Sequence, residues 1–392
     1  MRTKILRIPV FLFLGCFLVT MLAISPAASA WFFNDQVKVM TQNLYLGADI
    51  FAVLEAAQNP DPALGGLDGP IAVAALFQTV QYTNFPERAE AIANEIWFHR
   101  PHLIGLQEVS TWYIQPEGDA AYGGTEPATT VVYDYLQILL QALAARGLHY
   151  EVAILSEDNA DVELPMFTGF DGEIPTFADL RLVDSDVILV RSDVNFCNTA
   201  NESYSDNFGV SISGKYLEFT RGWVSVDVEV CGEEYRFVNT HLEISDGDGS
   251  PFRYVQSEQM NELLNEVLNT ETKPIILVGD FNSSPDDIPG NYDHPVYGLL
   301  PYVPPYMQAV DAGYLDTWYF IFFPRDGYTS GFDEYVSDPT AELTERIDLV
   351  LVRNKDIKWV IGTVVGDNIF NMTPSGLWPS DHGGVVTWIT FK

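Results

Sequence analysis

The stretch Ile275-Ile276-Leu277-Val278-Gly279-Asp280-Phe281-Asn282 constrains the fold more than any other. Its apolar residues run without alternation, so they read as a strand buried on both faces. The run stops at a carboxylate. A charged group at the tip of such a strand is expected on the rim of a sheet, where ligands bind. Asp280 and Asn282 are expected on one side of an extended backbone, both facing one ligand. A Gly-Asp pair at a strand end is also found as a plain turn or helix cap, and only the rest of the chain separates the two readings.

The same pattern recurs. Expected strands over residues 37–43 and 103–108 end in Asn43 and Glu108. A hairpin over 223–230 and 234–241, turning at Gly232, ends in His241. The strand 187–191 is preceded by Asp184 and Asp186. Strands over 347–352, 359–365 and 385–391 close the chain, with Asp348 in the first and Asp381-His382 just before the last. Between them lie three helices. One starts at Pro86 and turns Ala89, Ile92, Ala93, Ile96 and Trp97 to one face. A second carries Leu136, Leu139, Leu140 and Leu143 and stops at Gly147, and a third is capped by Ser250-Pro251. Segments 44–85, 111–130, 156–179 and 284–311 read as insertions that shape a substrate cleft, and the aromatic runs 302–306 and 318–323 as core, with exposed aromatics that face lipid as the alternative.

Each rim residue alone has an ordinary explanation: Glu108 a surface charge, Ser380-Asp381-His382 a turn, His241 a satisfied core histidine. Recurrence is what argues for a site. Hard oxygen donors with no metal-type cysteine spacing suit Mg²⁺, with Mn²⁺ or Ca²⁺ as alternatives, better than Zn²⁺.

Residues 1–30 read as a secretory signal peptide: Arg2, Lys4 and Arg7, then an apolar stretch, then Ala28-Ser29-Ala30 as the cleavage site. The chain is therefore expected to be secreted or periplasmic, without a stable membrane anchor after cleavage, and monomeric. Loss of the three basic leader residues takes the formal charge from −34 to −37. A surface that acidic repels polyanions at long range, while a bound cation can still reverse the field within one site. Cys197 and Cys231 remain in the mature chain, as one disulfide or two thiols.

Six blocks together resemble the endonuclease/exonuclease/phosphatase superfamily. They are Thr41-Gln42-Asn43-Leu44, Leu106-Gln107-Glu108-Val109, Asn239-Thr240-His241-Leu242, Gly279-Asp280-Phe281-Asn282, Arg346-Ile347-Asp348 and Ser380-Asp381-His382, in the family's order. The resemblance implies one domain over 31–392 with loop insertions. Its fold would be a four-layered αββα sandwich, with two mixed β-sheets packed face to face and helices outside. It also implies a divalent-metal-dependent phosphoesterase, with Glu108 as principal metal ligand and Asn43 and Asp381 close to the metal. Asp280 resembles the residue that orients or deprotonates the attacking water, and Asn282 the one that holds a phosphate oxygen. His382 resembles the histidine paired with a carboxylate, here Asp348. His241 resembles the second histidine, for which Asp186 or Asp184 is the candidate partner, and Arg221 matches a phosphate-binding cation. The expected substrate is a phosphate ester: nucleic acid, phospholipid or a small ester. A secreted binding protein that kept the fold without catalysis is the alternative.

Overall fold

Two six-stranded mixed sheets form the centre of the protein. The computed structural model describes residues 36–392 except 157–158, 213–214, 246 and 322–324, so the expected leader and Phe322-Phe323 lie outside the described residues. In chain order the strands begin β1 (Gln36–Asn43), β2 (Leu103–Gln107), β3 (Thr111–Gln115), β4 (Thr130–Asp134), β5 (Tyr150–Leu155), β6 (Ala160–Asp171) and β7 (Ile174–Asp184). Then come β8 (Val187–Arg191), β9 (Asn195–Ser203), β10 (Phe208–Ile212), β11 (Lys215–Phe219), β12 (Gly222–Val230) and β13 (Glu233–His241). The last are β14 (Ile275–Asp280), β15 (Gly290–His294), β16 (Gly298–Tyr302), β17 (Leu315–Asp316), β18 (Asp348–Arg353), β19 (Ile357–Val365) and β20 (Gly384–Phe391).

One sheet has the order β19-β20-β1-β2-β8-β5, the other β17-β18-β14-β13-β12-β9. Their facing sides share one apolar core, in which Val37, Val39, Leu103 and Ile188 meet Val224, Phe237, Ile276, Val278 and Val350. The outer side of the first sheet, through Met40, Ile104 and Leu189, packs on Ala89, Ile92 and Ile96 of the helix Phe85–His99 and Leu139 and Leu143 of the helix Tyr135–Ala145. The second sheet, through Val238, Leu277 and Leu351, packs on Met260, Leu263 and Leu264 at the helix Pro251–Glu262 and its continuing π-turn. This is the expected αββα layering. It explains why Ile275–Val278 does not alternate: Ile276 and Val278 face the sheet-sheet core while Ile275 and Leu277 face helices.

Strand direction gathers the rim. Parallel pairing of β1 with β2 and of β13 with β14 puts Asn43, Glu108, His241 and Asp280 at one end of the sandwich. Antiparallel β18 and β20 begin at that end, delivering Asp348 opposite Asp280 and His382 beside them. Two glycines make this possible. At Gly105 a Cβ would lie 2.6 Å from Val278 Cγ2 and 2.7 Å from Asn239 Oδ1, so the sheets approach closely there. Gly279 has φ +150°, and a Cβ on it would fall 1.9 Å from the Thr240 carbonyl oxygen. Only glycine fits immediately before Asp280.

Arg88 is fully buried and donates to four carbonyl oxygens: Thr83 (2.8 Å), Leu44 (2.7 Å), Tyr45 (3.0 Å) and Pro379 (3.0 Å). It thereby clamps the loop after Asn43 to the loop before Asp381. Replacing Arg88 with Met would leave those buried acceptors without a donor, and we expect urea unfolding to show a loss of about 3 kcal/mol or more. A loss under about 1 kcal/mol would contradict the clamp.

Several insertions are more ordered than their sequence suggested. Residues 44–85 contain the helices Phe51–Gln58 and Asp68–Tyr82. From Ala160 on, the segment 156–179 belongs to the long β6–β7 hairpin, whose Met166, Leu180 and Leu182 join the core beneath Asp68–Tyr82. Strands β3 and β4 occupy the ends of 111–130. The aromatic runs divide: Tyr302, Tyr306 and Trp318 are buried, whereas Tyr319 is 69% exposed. Trp97 also faces outward, at 46%. Cys197 and Cys231 are exposed thiols and do not form a disulfide.

Candidate active site

Asp280 is the hub of the rim. Its Oδ2 accepts from Asn43 Nδ2 at 3.1 Å and lies 3.6 Å from His241 Nε2 and 3.8 Å from His382 Nδ1. Its Oδ1 accepts from the Asn282 backbone N–H at 2.9 Å. That last bond corrects the expectation of an extended Asp280–Asn282 segment. β14 ends at Asp280, and Asn282 turns back with φ +47°, a left-handed conformation that asparagine tolerates. The turn leaves the Asn282 amide 3.3 Å from His241 Nε2 and donating to the Leu242 carbonyl at 3.0 Å.

Glu108 sits just past β2, also left-handed, with φ +54°. Its Oε1 accepts from Asn43 Nδ2 (3.1 Å) and its Oε2 from the Leu46 N–H (2.7 Å). Glu108, Asp381, Asn282 and Arg221 are half-buried, whereas Asp280, Asp348, His241 and His382 are buried. Burial raises the Glu108 carboxyl above the ordinary carboxylate range, and nearby Asp381 raises it further. Burial likewise raises Asp381, against the pull of His382 and Arg88. Burial and then Asp348 push Asp280 up to about 6.

The two histidines are driven apart. His382 Nδ1 is 2.8 Å from Asp348 Oδ2. Burial alone would lower His382, but Asp348, Asp381 and Asp280 outweigh it and hold the imidazole protonated well above its usual range. Burial, Arg221 and His382 push His241 well below, so it is neutral. Two like side chains thus stand in opposite protonation states on either side of one carboxylate.

Arg221 accounts for a departure from expectation. Among the described residues neither Asp184 nor Asp186 forms a hydrogen bond or ion pair with His241. The Arg221 guanidinium meets it instead, with Nη1 3.0 Å from Nδ1, and Nη2 lies 3.5 Å from Glu243 Oε1. Asp184 and Asp186 end β7 and precede β8 rather than sharing a strand, and both act on Arg221 through charge. Burial and Glu108 raise Asp184 to about 7; burial and Asp184 raise Asp186 well above the carboxylate range.

Supporting groups with no motif of their own complete the site. Gln256 Nε2 points at three carbonyl oxygens, those of Glu243 (2.8 Å), Asn282 (2.7 Å) and Phe281 (3.3 Å), and so fixes the turn after Asp280. Asn239 ties the sheets just below the rim, accepting from Gln107 Nε2 (2.6 Å) and donating to the carbonyls of Leu106 (2.9 Å) and Val187 (3.2 Å). Thr329 Oγ1 accepts from the Asp348 N–H at 3.1 Å.

Two oxygen-bearing groups could take a cation. Donor atoms of Asp280, Asp348 and His382 lie within 4.8 Å of one another. A protonated imidazole is no metal ligand, however, and this trio is already joined by the His382–Asp348 bond. Glu108 and Asp381 offer hard oxygens from half-buried side chains, and a positive charge would offset the burial that raises both; buried Asn43 stands beside them with its Oδ1 accepting from the Tyr45 N–H at 2.8 Å. That donor set fits Mg²⁺ or Mn²⁺.

The sequence profile described as the Endonuclease/Exonuclease/phosphatase family matches residues 40–382. Among solved structures, the chain is similar to an endonuclease/exonuclease/phosphatase from Beutenbergia cavernae, with 20% identity, 91% of this chain and 72% of that chain covered, and a TM-score of 0.50. It is similar also to an endonuclease/exonuclease/phosphatase family protein from Bacteroides thetaiotaomicron, with 15% identity, 91% and 98% covered, and a TM-score of 0.50. No curated protein matches the sequence.

Proposed function

Because the chain belongs to the endonuclease/exonuclease/phosphatase family, we propose that it is a secreted, divalent-cation-dependent phosphoesterase that hydrolyses its substrate by attack of an activated water. The observation that carries this reading is the convergence of an amide, a neutral histidine and a protonated histidine within 4 Å of the Asp280 carboxylate. Asp280, near-neutral in affinity, orients the water and accepts its proton. The Asn282 amide and Arg221 hold phosphoryl oxygens, relieving charge as it builds. His382, kept protonated by Asp348, donates toward the departing oxygen, and neutral His241, held by Arg221 and Asn282, contacts the phosphoryl group. Glu108 and Asp381, with Asn43 beside them, would hold Mg²⁺, which when bound polarises the phosphoryl oxygens. A panel of plasmid DNA, RNA, sphingomyelin and small phosphate esters, each assayed with and without EDTA, tests the reading and separates substrate classes. No EDTA-sensitive turnover on any of them would count against it.

The carboxylates give a pH signature. Their folded pKa values lie above the unfolded values of about 4, so in the cation-free protein their contribution is favourable below about pH 4. It is lost as pH rises through the raised folded pKa values of Glu108 and Asp381, the two carboxylates of the candidate cation site. A cation reverses that loss only where the carboxylates are ionised. Saturating Mg²⁺ is expected to raise Tm more at pH 8 than at pH 5, by the equivalent of about 2–3 kcal/mol at 100-fold excess over Kd. Equal shifts at both pH values would contradict a carboxylate site.

A further inference from the structure

The β15–β16 hairpin ends in a tip where Val296, Tyr297 and Leu299 are 76%, 76% and 69% exposed. The tip is ordered. His294 Nδ1 accepts from the backbone N–H groups of Val296 and Tyr297, both at 3.1 Å, and the His294 ring stacks on Tyr297 with centroids 4.7 Å apart. Tyr292 packs edge-on against His294 and also meets Tyr254 of the helix Pro251–Glu262. At the hairpin base, Tyr302 Oη accepts from the Gly249 N–H (3.1 Å) and the Val303 N–H donates to Ser257 Oγ (3.2 Å). A braced turn that holds apolar side chains in water marks an interaction surface.

Shape and charge select the occupant. Three apolar side chains on a hairpin turn fall far short of the roughly 20–30 residues a side in a stable protein interface. A fluid lipid boundary needs no complementary pocket, and tyrosine favours that boundary because its ring is apolar and its hydroxyl polar. No lysine or arginine occurs between Lys273 and Arg325, while Asp286, Asp287 and Asp293 do. An anionic membrane is therefore repelled and a zwitterionic one is not. We propose that the 294–299 tip docks the protein on a neutral lipid–water interface. Arg253 of the helix Pro251–Glu262 grips Asp287 with both Nη atoms (2.7 and 3.1 Å), tying that helix to the segment between Asn282 and the hairpin. Docking does not depend on the hydrolytic reading, since binding is measured without turnover.

The test is co-sedimentation of the full chain with phosphatidylcholine vesicles. Wild type is expected to bind, with phosphatidylserine in the vesicles weakening binding. The double variant Val296→Asp, Leu299→Asp is expected to partition more than about tenfold less, with Tm and hydrolysis of a soluble ester unchanged. Tyr297→Trp should retain binding. Wild type staying in the supernatant, or the double variant binding equally well, would overturn the proposal. Lipid-free self-association abolished by the same double variant would overturn it too, assigning the tip to a second copy of the chain.

Discussion

Asp280→Asn is expected to lower phosphate-ester hydrolysis by about 10³- to 10⁴-fold while the protein stays folded. The two halves of that result have separate causes. Asparagine keeps an oxygen to accept the Asn282 N–H, so the turn that presents the phosphate-holding amide survives. It also removes one of two carboxylates paired across β14 and β18, and therefore relieves repulsion with Asp348 at neutral pH. Stability should change by no more than about 1 kcal/mol. What asparagine cannot do is accept a proton from water. Near-normal turnover in the purified, folded variant would remove Asp280 from the mechanism.

Asp348→Asn is expected to cost about 10²- to 10⁴-fold in turnover and, more tellingly, to move the pH profile. His382 is held protonated well above the usual imidazole range, with Asp348 the largest of the charges raising it. Protonated His382 is the active form in this account, so activity falls as pH rises through its pKa. Without Asp348, burial weighs more heavily against the imidazolium, and the alkaline limb should shift toward lower pH. An NMR titration of the His382 ring in the variant checks the same point directly. An unchanged alkaline limb would show that some other group supplies the proton. His241, neutral in the folded protein, gives the internal contrast: its removal should weaken activity without moving that limb.

The layers, the rim and most of the site residues were legible because each depends on a local pattern. Ile275–Val278 had to be a doubly covered strand, and Gly279 before Asp280 had a steric cause that the Thr240 carbonyl later supplied. The clustering of Asn43, Glu108, His241, Asp280 and His382 followed from polar residues at strand ends once the strands shared a direction. Arg88, Gln256 and Asn239 were invisible for the opposite reason. Their partners are backbone carbonyls on distant segments, which leave no mark on the surrounding residue types. A buried arginine inside an amphipathic helix reads as a surface charge until Leu44 and Pro379 are seen to converge on it. The strand pattern predicts an extended Asp280–Asn282 backbone, whereas Asn282 takes a left-handed turn. Pro165 and Gly169 make segment 156–179 read as an insertion, yet β6 pairs with β7 along a hairpin from Ala160 to Asp171 that absorbs one register shift between Phe167 and Gly169. The family resemblance implies an acidic partner for His241, with Asp184 and Asp186 as candidates. The guanidinium of Arg221 is long enough to reach the ring first.

The most direct test is the rate of bis(p-nitrophenyl) phosphate hydrolysis by the purified chain with Mg²⁺, repeated after EDTA treatment and in Glu108→Gln. A metal-assisted phosphoesterase should turn the substrate over with Mg²⁺, lose that activity to EDTA, regain it on readdition, and be severely impaired by Glu108→Gln. Turnover that is indifferent to EDTA, or absent with Mg²⁺, Mn²⁺ and Ca²⁺ alike, would contradict the account.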